Sequence, residues 1–64
     1  MVTKGSCWSD GKGKLFRVLE VPTVEGETWV LYRTEPPKGM PTTNCKEYSC
    51  LIGAFEQRFF PYAE

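Results

Sequence analysis

The chain has 64 residues, and its eight basic and eight acidic side chains cancel to a formal net charge of zero. This length allows one domain, residues 1–64, and an apolar share of 41% is enough for one compact core. The absence of net charge disfavours nucleic-acid binding by phosphate neutralisation. No apolar run approaches the roughly 20 residues of a membrane-spanning helix, so we expect no membrane segment.

The first half of the chain predicts three strands separated by turns. Residues 5–9 form the first, which ends at an Asp-Gly turn over residues 10–13. Residues 15–21 form the second, which is stopped by a proline. Residues 28–34, rich in β-branched and aromatic side chains, form the third and clearest strand. The second and third strands should pair as an antiparallel hairpin across a loop at residues 22–27.

The second half predicts a long loop, a fourth strand and a short mixed tail. Three prolines and a glycine exclude a regular element from residues 35–44, which we interpret as a crossover, with a functional tip as the alternative. Residues 47–51 read as a strand that Gly53 breaks. Residues 54–58 allow one helical or 3-10 turn, and residues 59–62 allow a short fifth strand. Four to five short strands predict an all-β, partly open barrel.

Both faces of the predicted sheet carry apolar side chains. Only one face of each strand can line the core of a small barrel, so the other must be covered by the long loop, the tail or a partner. Phe16, Val18, Val30 and Tyr32 lie on one side of their strands, opposite Leu15, Leu19, Val21, Trp29 and Leu31.

The aromatic tail AFEQRFFPYAE contains residues suited to the core and residues suited to a contact surface. Phe55 and Phe59 are four residues apart, so a helical turn places both on one side, against the barrel. Phe60 and Tyr62 are two apart on an extended end and share the other side. We therefore predict a tail that is half core and half contact surface.

The common catalytic arrangements are missing from the sequence. There is no histidine to act as a base, and Lys46, Ser49 and Cys50 are close in sequence without a motif. Residues 11–14 (GKGK) lack the spacing and the helix of a phosphate-binding loop. We interpret the glutamates on turns and strand edges as solvated charges; they are Glu20, Glu25, Glu27, Glu35 and Glu47. The sequence predicts no enzyme and no cofactor.

The three cysteines and the N-terminus indicate a reducing compartment. MVTKGSCWSDGKGK has no signal-peptide features, so we expect a cytoplasmic protein. An odd cysteine count then predicts reduced thiols at Cys7, Cys45 and Cys50, packed in or near the core. A zinc site lacks a fourth ligand and the usual spacing. A disulfide between Cys7 and one of the others remains an alternative on oxidation.

Four short stretches carry a family resemblance. They are K-G-x-x-W at residues 4–8, F-R-V-L at 16–19, V-L-Y-R at 30–33 and F-x-x-R-F-x-P at 55–61. The pattern resembles small bacterial and phage-encoded β-barrel proteins of uncharacterised function with SH3-like folds. The resemblance implies an SH3-like barrel and an accessory role, in the host cytoplasm if the protein is phage-encoded. It implies no catalytic residues. The long proline-rich loop of this chain departs from the tighter connection expected in that family.

These observations together predict an accessory or protein-interaction module. The partner would be another protein or a second copy of the chain. Trp29, Phe60 and Tyr62 are the interface candidates, because tryptophan and tyrosine dominate binding hot spots.

The alternative is a small barrel that binds single-stranded nucleic acid. Such barrels stack bases on exposed aromatic rings beside basic side chains. In this chain the candidate contacts would be Lys12, Lys14, Arg17, Arg33 and Trp8.

Overall fold

The computed structural model describes residues 2–36, 39 and 45–62 of the chain. Within these residues the fold is a curled antiparallel sheet with one short helix near the C-terminus. The all-β, partly open barrel is therefore confirmed. Its elements are β1 (Cys7–Ser9), β2 (Leu15–Glu20), β3 (Thr23–Val24), β4 (Glu27–Glu35), β5 (Glu47–Leu51), α1 (Ile52–Arg58) and β6 (Phe60–Pro61).

Strand β4 is the centre of the sheet. β2 pairs with it from Leu15↔Glu35 to Glu20↔Leu31, and β5 pairs with it from Arg33↔Glu47 to Trp29↔Leu51. The two pairings overlap along β4, so β2 and β5 lie on opposite edges of it. β1 adds to β2, and β6 adds to β1.

A β-bulge in β2 bends the sheet. Val18 pairs with Tyr32, but Glu20 pairs with Leu31, so Leu19 is an extra residue in the ladder. A bulge of this kind increases the local right-handed twist and curls the strand. The curl lets one face of the sheet wrap around a core.

The core is an aromatic cluster between the sheet and α1. Phe55 is fully buried, and its ring centroid lies 5.1 Å from that of Trp8, 5.0 Å from that of Tyr32 and 4.6 Å from that of Phe59. Such edge and tilted contacts are the preferred geometries for aromatic pairs. The cluster consists of Val2, Trp8, Phe16, Val18, Val30, Tyr32, Phe55 and Phe59.

Several predicted elements are confirmed. The fourth strand has the predicted bounds, and residues 10–13 form a turn in which the Asp10 carboxylate accepts hydrogen bonds from the backbone N–H groups of Lys12 and Lys14. Phe55 and Phe59 are buried, whereas Phe60 and Tyr62 are exposed, so the tail divides as predicted. β1 and β6 are shorter than the predicted first and fifth strands.

Two local predictions are wrong. The loop predicted at residues 22–27 contains β3, which pairs with β4 across a two-residue turn at Glu25 and Gly26, both with positive φ. That conformation is typical of a tight hairpin turn. Gly53 is not the residue that breaks the fourth strand: the predicted helical turn at residues 54–58 is confirmed, but α1 begins directly after the strand, at Ile52, and includes Gly53. Burial of Phe55 outweighs the roughly 1 kcal/mol that glycine costs a helix.

The proline-rich loop predicted at residues 35–44 falls mostly outside the described residues. Glu35 is the last residue of β4, and Gly39 is exposed. Residues 37–38 and 40–44 are not described, so the structure does not test a crossover against a functional tip.

Candidate binding surface on the outer face of the sheet

The sheet has an outer face that points away from the aromatic cluster. Side chains alternate along a strand, and residues paired across an antiparallel ladder point to the same side. Val30 and Tyr32 of β4 are buried in the core, so Trp29, Leu31 and Arg33 point outward. Their partners in β5 and β2 share this face.

Apolar side chains cluster on this outer face where β3, β4 and β5 meet. Leu31 is 36% exposed, Leu51 is 40% exposed and Val24 is 52% exposed, while Trp29 is half-buried beside them. A groove of about 330 Å³ runs between the β3–β4 hairpin and β5. Its lining is Pro22, Val24, Glu25, Glu27, Trp29, Leu31 and Ser49.

The groove continues into a second depression of about 260 Å³. The two share Leu31 and Ser49 in their lining. Leu19, the extra residue of the β2 bulge, lines one side of the second depression, and Tyr48 lines it at the β5 edge. We call the two together the outer groove.

Carboxylates surround the outer groove. Glu25 and Glu27 flank the tip of the β3–β4 hairpin, and Glu47 begins β5. All three are exposed, and among the described residues no ion pair engages them. Glu20, at the end of β2, differs because its carboxylate lies 2.9 Å from the Lys4 ammonium.

The middle of the outer face is an ion-pair network. One Glu35 oxygen accepts hydrogen bonds from Nη2 and Nε of Arg17 at 2.6 and 3.1 Å, and the other lies 2.8 Å from Nη1 of Arg33. Arg17 also donates to the carbonyl of Gly5 at 2.8 Å, and Arg33 donates to that of Thr34 at 3.1 Å. One carboxylate thus holds two guanidinium groups across neighbouring strands.

The tail forms the far end of the same face. Phe60 pairs with Ser9, and the Tyr62 N–H donates to the Cys7 carbonyl at 3.0 Å. Phe60 is 59% exposed and Tyr62 is 48% exposed. The Phe60 ring packs over the β1–β2 turn, where a Cβ on Gly11 would lie 3.4 Å from it.

The three interface candidates therefore lie at two ends of one face. Trp29 lines the outer groove, whereas Phe60 and Tyr62 lie on the tail, across the Arg17–Glu35 network. Sequence reasoning marked Leu31 only as an apolar side chain in need of cover. It did not predict that Glu25, Glu27 and Glu47 border one groove, because the pairing of β3 and β5 with β4 brings these carboxylates together.

The residues predicted as nucleic-acid contacts do not form one surface. Trp8 is 4% exposed, and its Nε1 donates to the Ser6 hydroxyl at 2.9 Å, so its ring presents no face to a base. Arg17 and Arg33 are held by Glu35. Lys12 and Lys14 are exposed in the β1–β2 turn.

The cysteines are thiols and form no disulfide. Cys7 is buried, while Cys45 and Cys50 are partly buried. Burial raises the pKa of Cys50, and a hydrogen bond from the Tyr32 hydroxyl and the nearby Arg58 charge oppose that rise. Burial, together with Cys50, raises the pKa of Tyr32. Among the described residues no group of three or more His, Cys, Asp or Glu side chains could hold a metal ion.

The search for related proteins gives no match among protein-family models, curated proteins or solved structures. In the described part of the chain, no helix is long and apolar enough to cross a membrane.

Proposed function

We propose that the chain is a non-enzymatic protein-interaction module that binds through the outer face of its sheet. The observation that carries this proposal is the exposed apolar floor of the outer groove, centred on Leu31. Contiguous exposed apolar surface with a polar rim is typical of protein-interaction sites.

The position of the core supports this proposal. The inner face of the sheet and α1 together bury the aromatic cluster, including Val30 and Tyr32 of β4. Trp29 and Leu31 alternate with these two residues along the same strand but belong to no buried cluster. Because neither side chain is part of the buried core, their apolar character supports a role in binding.

Each end of the outer face has a separate role. The outer groove takes a side chain of the partner, with Trp29 as the aromatic hot spot. Phe60 and Tyr62 give a second contact at the tail. The partner is another protein or a second copy of the chain.

We also propose what the family resemblance implies: an accessory role, an SH3-like barrel and a bacterial or phage cytoplasmic setting.

The test compares the wild-type chain with two surface variants. Leu31→Thr removes the apolar floor and keeps a residue suited to a strand. Lys12→Ser is the matched control on the exposed β1–β2 turn, and it also removes one candidate nucleic-acid contact. Light scattering measures self-association, and affinity capture with quantitative mass spectrometry measures partner binding.

We expect the wild type to be a dimer or a monomer that captures a specific protein. Leu31→Thr should weaken that association by at least about tenfold, as loss of a hot-spot contact does. Lys12→Ser should leave it unchanged. A monomeric wild type that captures the same proteins as Leu31→Thr would contradict the proposal.

A further inference from the structure

We infer that the outer groove binds an extended segment of a partner protein in which an apolar side chain is flanked by lysine or arginine. This inference rests on the proposed function and adds the chemistry of the partner. Its evidence is the shape of the groove, its apolar floor and the charge of its rim.

The shape fits an extended chain. The depressions of about 330 and about 260 Å³ meet at Leu31 and Ser49, so the groove is elongated across β3, β4 and β5. The larger depression is near the lower end of the volume range for ligand pockets and the smaller one lies below it, which suits one or two side chains in each. Segments without tertiary structure commonly bind domains through such grooves, with a few side chains as anchors.

The floor selects an apolar anchor. Val24, Trp29 and Leu31 are apolar side chains in the lining of the larger depression, together with Pro22. The backbone N–H of Trp29 donates to the Pro22 carbonyl at 2.8 Å, which fixes this wall to β4. A wall that is already ordered loses little conformational entropy when a ligand binds.

The rim selects cations beside that anchor. Glu25, Glu27 and Glu47 place three carboxylates around the groove, with no ion-pair partner among the described residues. Lysine or arginine on the bound segment would provide the missing partners and raise the association rate. A phosphate backbone would instead meet like charge, so nucleic acid does not suit this groove.

The β1–β2 turn of a second copy fits the groove poorly. The exposed cations of this turn are Lys12, between Gly11 and Gly13, and Lys14, between Gly13 and Leu15. The nearest apolar side chains are Leu15, which is half-buried, and Phe16, which lies in the core. The turn therefore offers charge without a free apolar anchor.

The first experiment selects ligands for the full-length chain from a displayed library of random peptides about a dozen residues long. We expect the selected peptides to share an aliphatic or aromatic residue with lysine or arginine on one or both sides. Their affinity for the chain should fall when salt is raised from about 0.05 M to about 0.5 M, because salt screens exposed charges.

The second experiment measures one selected peptide against variants by fluorescence polarisation. Glu27→Gln and Glu47→Gln should each weaken binding about two- to fivefold, the effect of one exposed ion pair. Glu56→Gln is the matched control, because Glu56 is exposed on α1, outside the groove lining. Leu31→Thr should abolish binding, and circular dichroism checks that every variant is folded.

Each outcome decides the inference. Selected peptides without lysine or arginine enrichment that still require Leu31 would overturn the inference and leave the proposed function standing. Peptides that bind Leu31→Thr as well as the wild type would overturn both. Selection of no peptide, or equal effects of Glu27→Gln and Glu56→Gln, would also overturn the inference.

Discussion

The two faces of β4 carry similar apolar side chains in different surroundings. Val30 is fully buried and Tyr32 is 7% exposed on the inner face, whereas Leu31, between them, is 36% exposed on the outer face. The inner face meets α1 and the rest of the aromatic cluster. The outer face meets an open groove with a charged rim. Apolar character on one strand therefore serves folding on one side and, in our proposal, binding on the other.

The largest effect should come from the inner face. Phe55→Ala removes the centre of the aromatic cluster and should destabilise the fold by about 3–5 kcal/mol, enough to unfold a small domain. Phe60→Ala, on the exposed tail, should stay folded and weaken association. Urea unfolding followed by circular dichroism measures the unfolding free energy of both variants, and light scattering measures association. Equal destabilisation by the two substitutions would mean that the whole tail is core.

The next effect should come from the structural half of the outer face. Glu35→Ala leaves two guanidinium groups without their carboxylate and should cost about 1–3 kcal/mol of unfolding free energy. Glu47→Ala is the matched control on the same face and should change stability by less than about 0.5 kcal/mol. If the two variants unfolded alike, the network around Glu35 would not support the sheet.

The stability of the fold should fall at alkaline pH because of two groups at the edge of the core. Burial raises the pKa values of Cys50 and Tyr32, so both groups ionise more readily in the unfolded chain than in the fold. Their contribution to stability is complete below the unfolded pKa values and is lost as the pH rises past about 9. Thermal unfolding across this range should show the loss. Cys50→Val should make the fall in stability with rising pH shallower. An unchanged dependence of stability on pH would contradict the role of Cys50 in it.

The smallest effect should be a gain in stability at the binding half of the outer face. Glu25 holds a φ of 53°, a conformation that asparagine tolerates better than glutamate. Glu25→Asn should therefore stabilise the fold by about 0.5–1 kcal/mol. Glu27→Gln removes a carboxylate without this backbone change and should leave the melting temperature unaltered. A loss of stability in Glu25→Asn would show that this carboxylate supports the fold.

The sequence predicts the inner face only in part, because both sides of its strands carry apolar residues and Val21, expected opposite Phe16 and Val18, packs against the core. Alternation groups Phe16 with Val18 and Val30 with Tyr32, which the structure places in the core, and spacing in the tail predicts the burial of Phe55. β3 was missed because a two-residue strand beside a proline leaves no periodic signal. The helical turn predicted at residues 54–58 is present, but α1 begins two residues earlier and includes Gly53, because tertiary packing, which sequence propensity does not contain, decides its start.

The outer groove was only partly predictable. The sequence predicts Trp29 as an interface residue and places Leu31 on the side of its strand opposite Val30 and Tyr32. The carboxylate rim depends on the pairing of β3 and β5 with β4, which brings distant residues together. A register is a property of the folded sheet and cannot be read from single glutamates.

The most direct test of the central claim compares two neighbouring residues on opposite faces of β4. Val30→Thr and Leu31→Thr each place the same side chain on the same strand, and each variant is measured for unfolding free energy and for binding per folded molecule. Val30→Thr should lose about 1–3 kcal/mol by burying a hydroxyl and should retain binding. Leu31→Thr should retain stability and lose binding. Equal losses of stability, or full binding by Leu31→Thr, would contradict the division of the sheet into a folding face and a binding face.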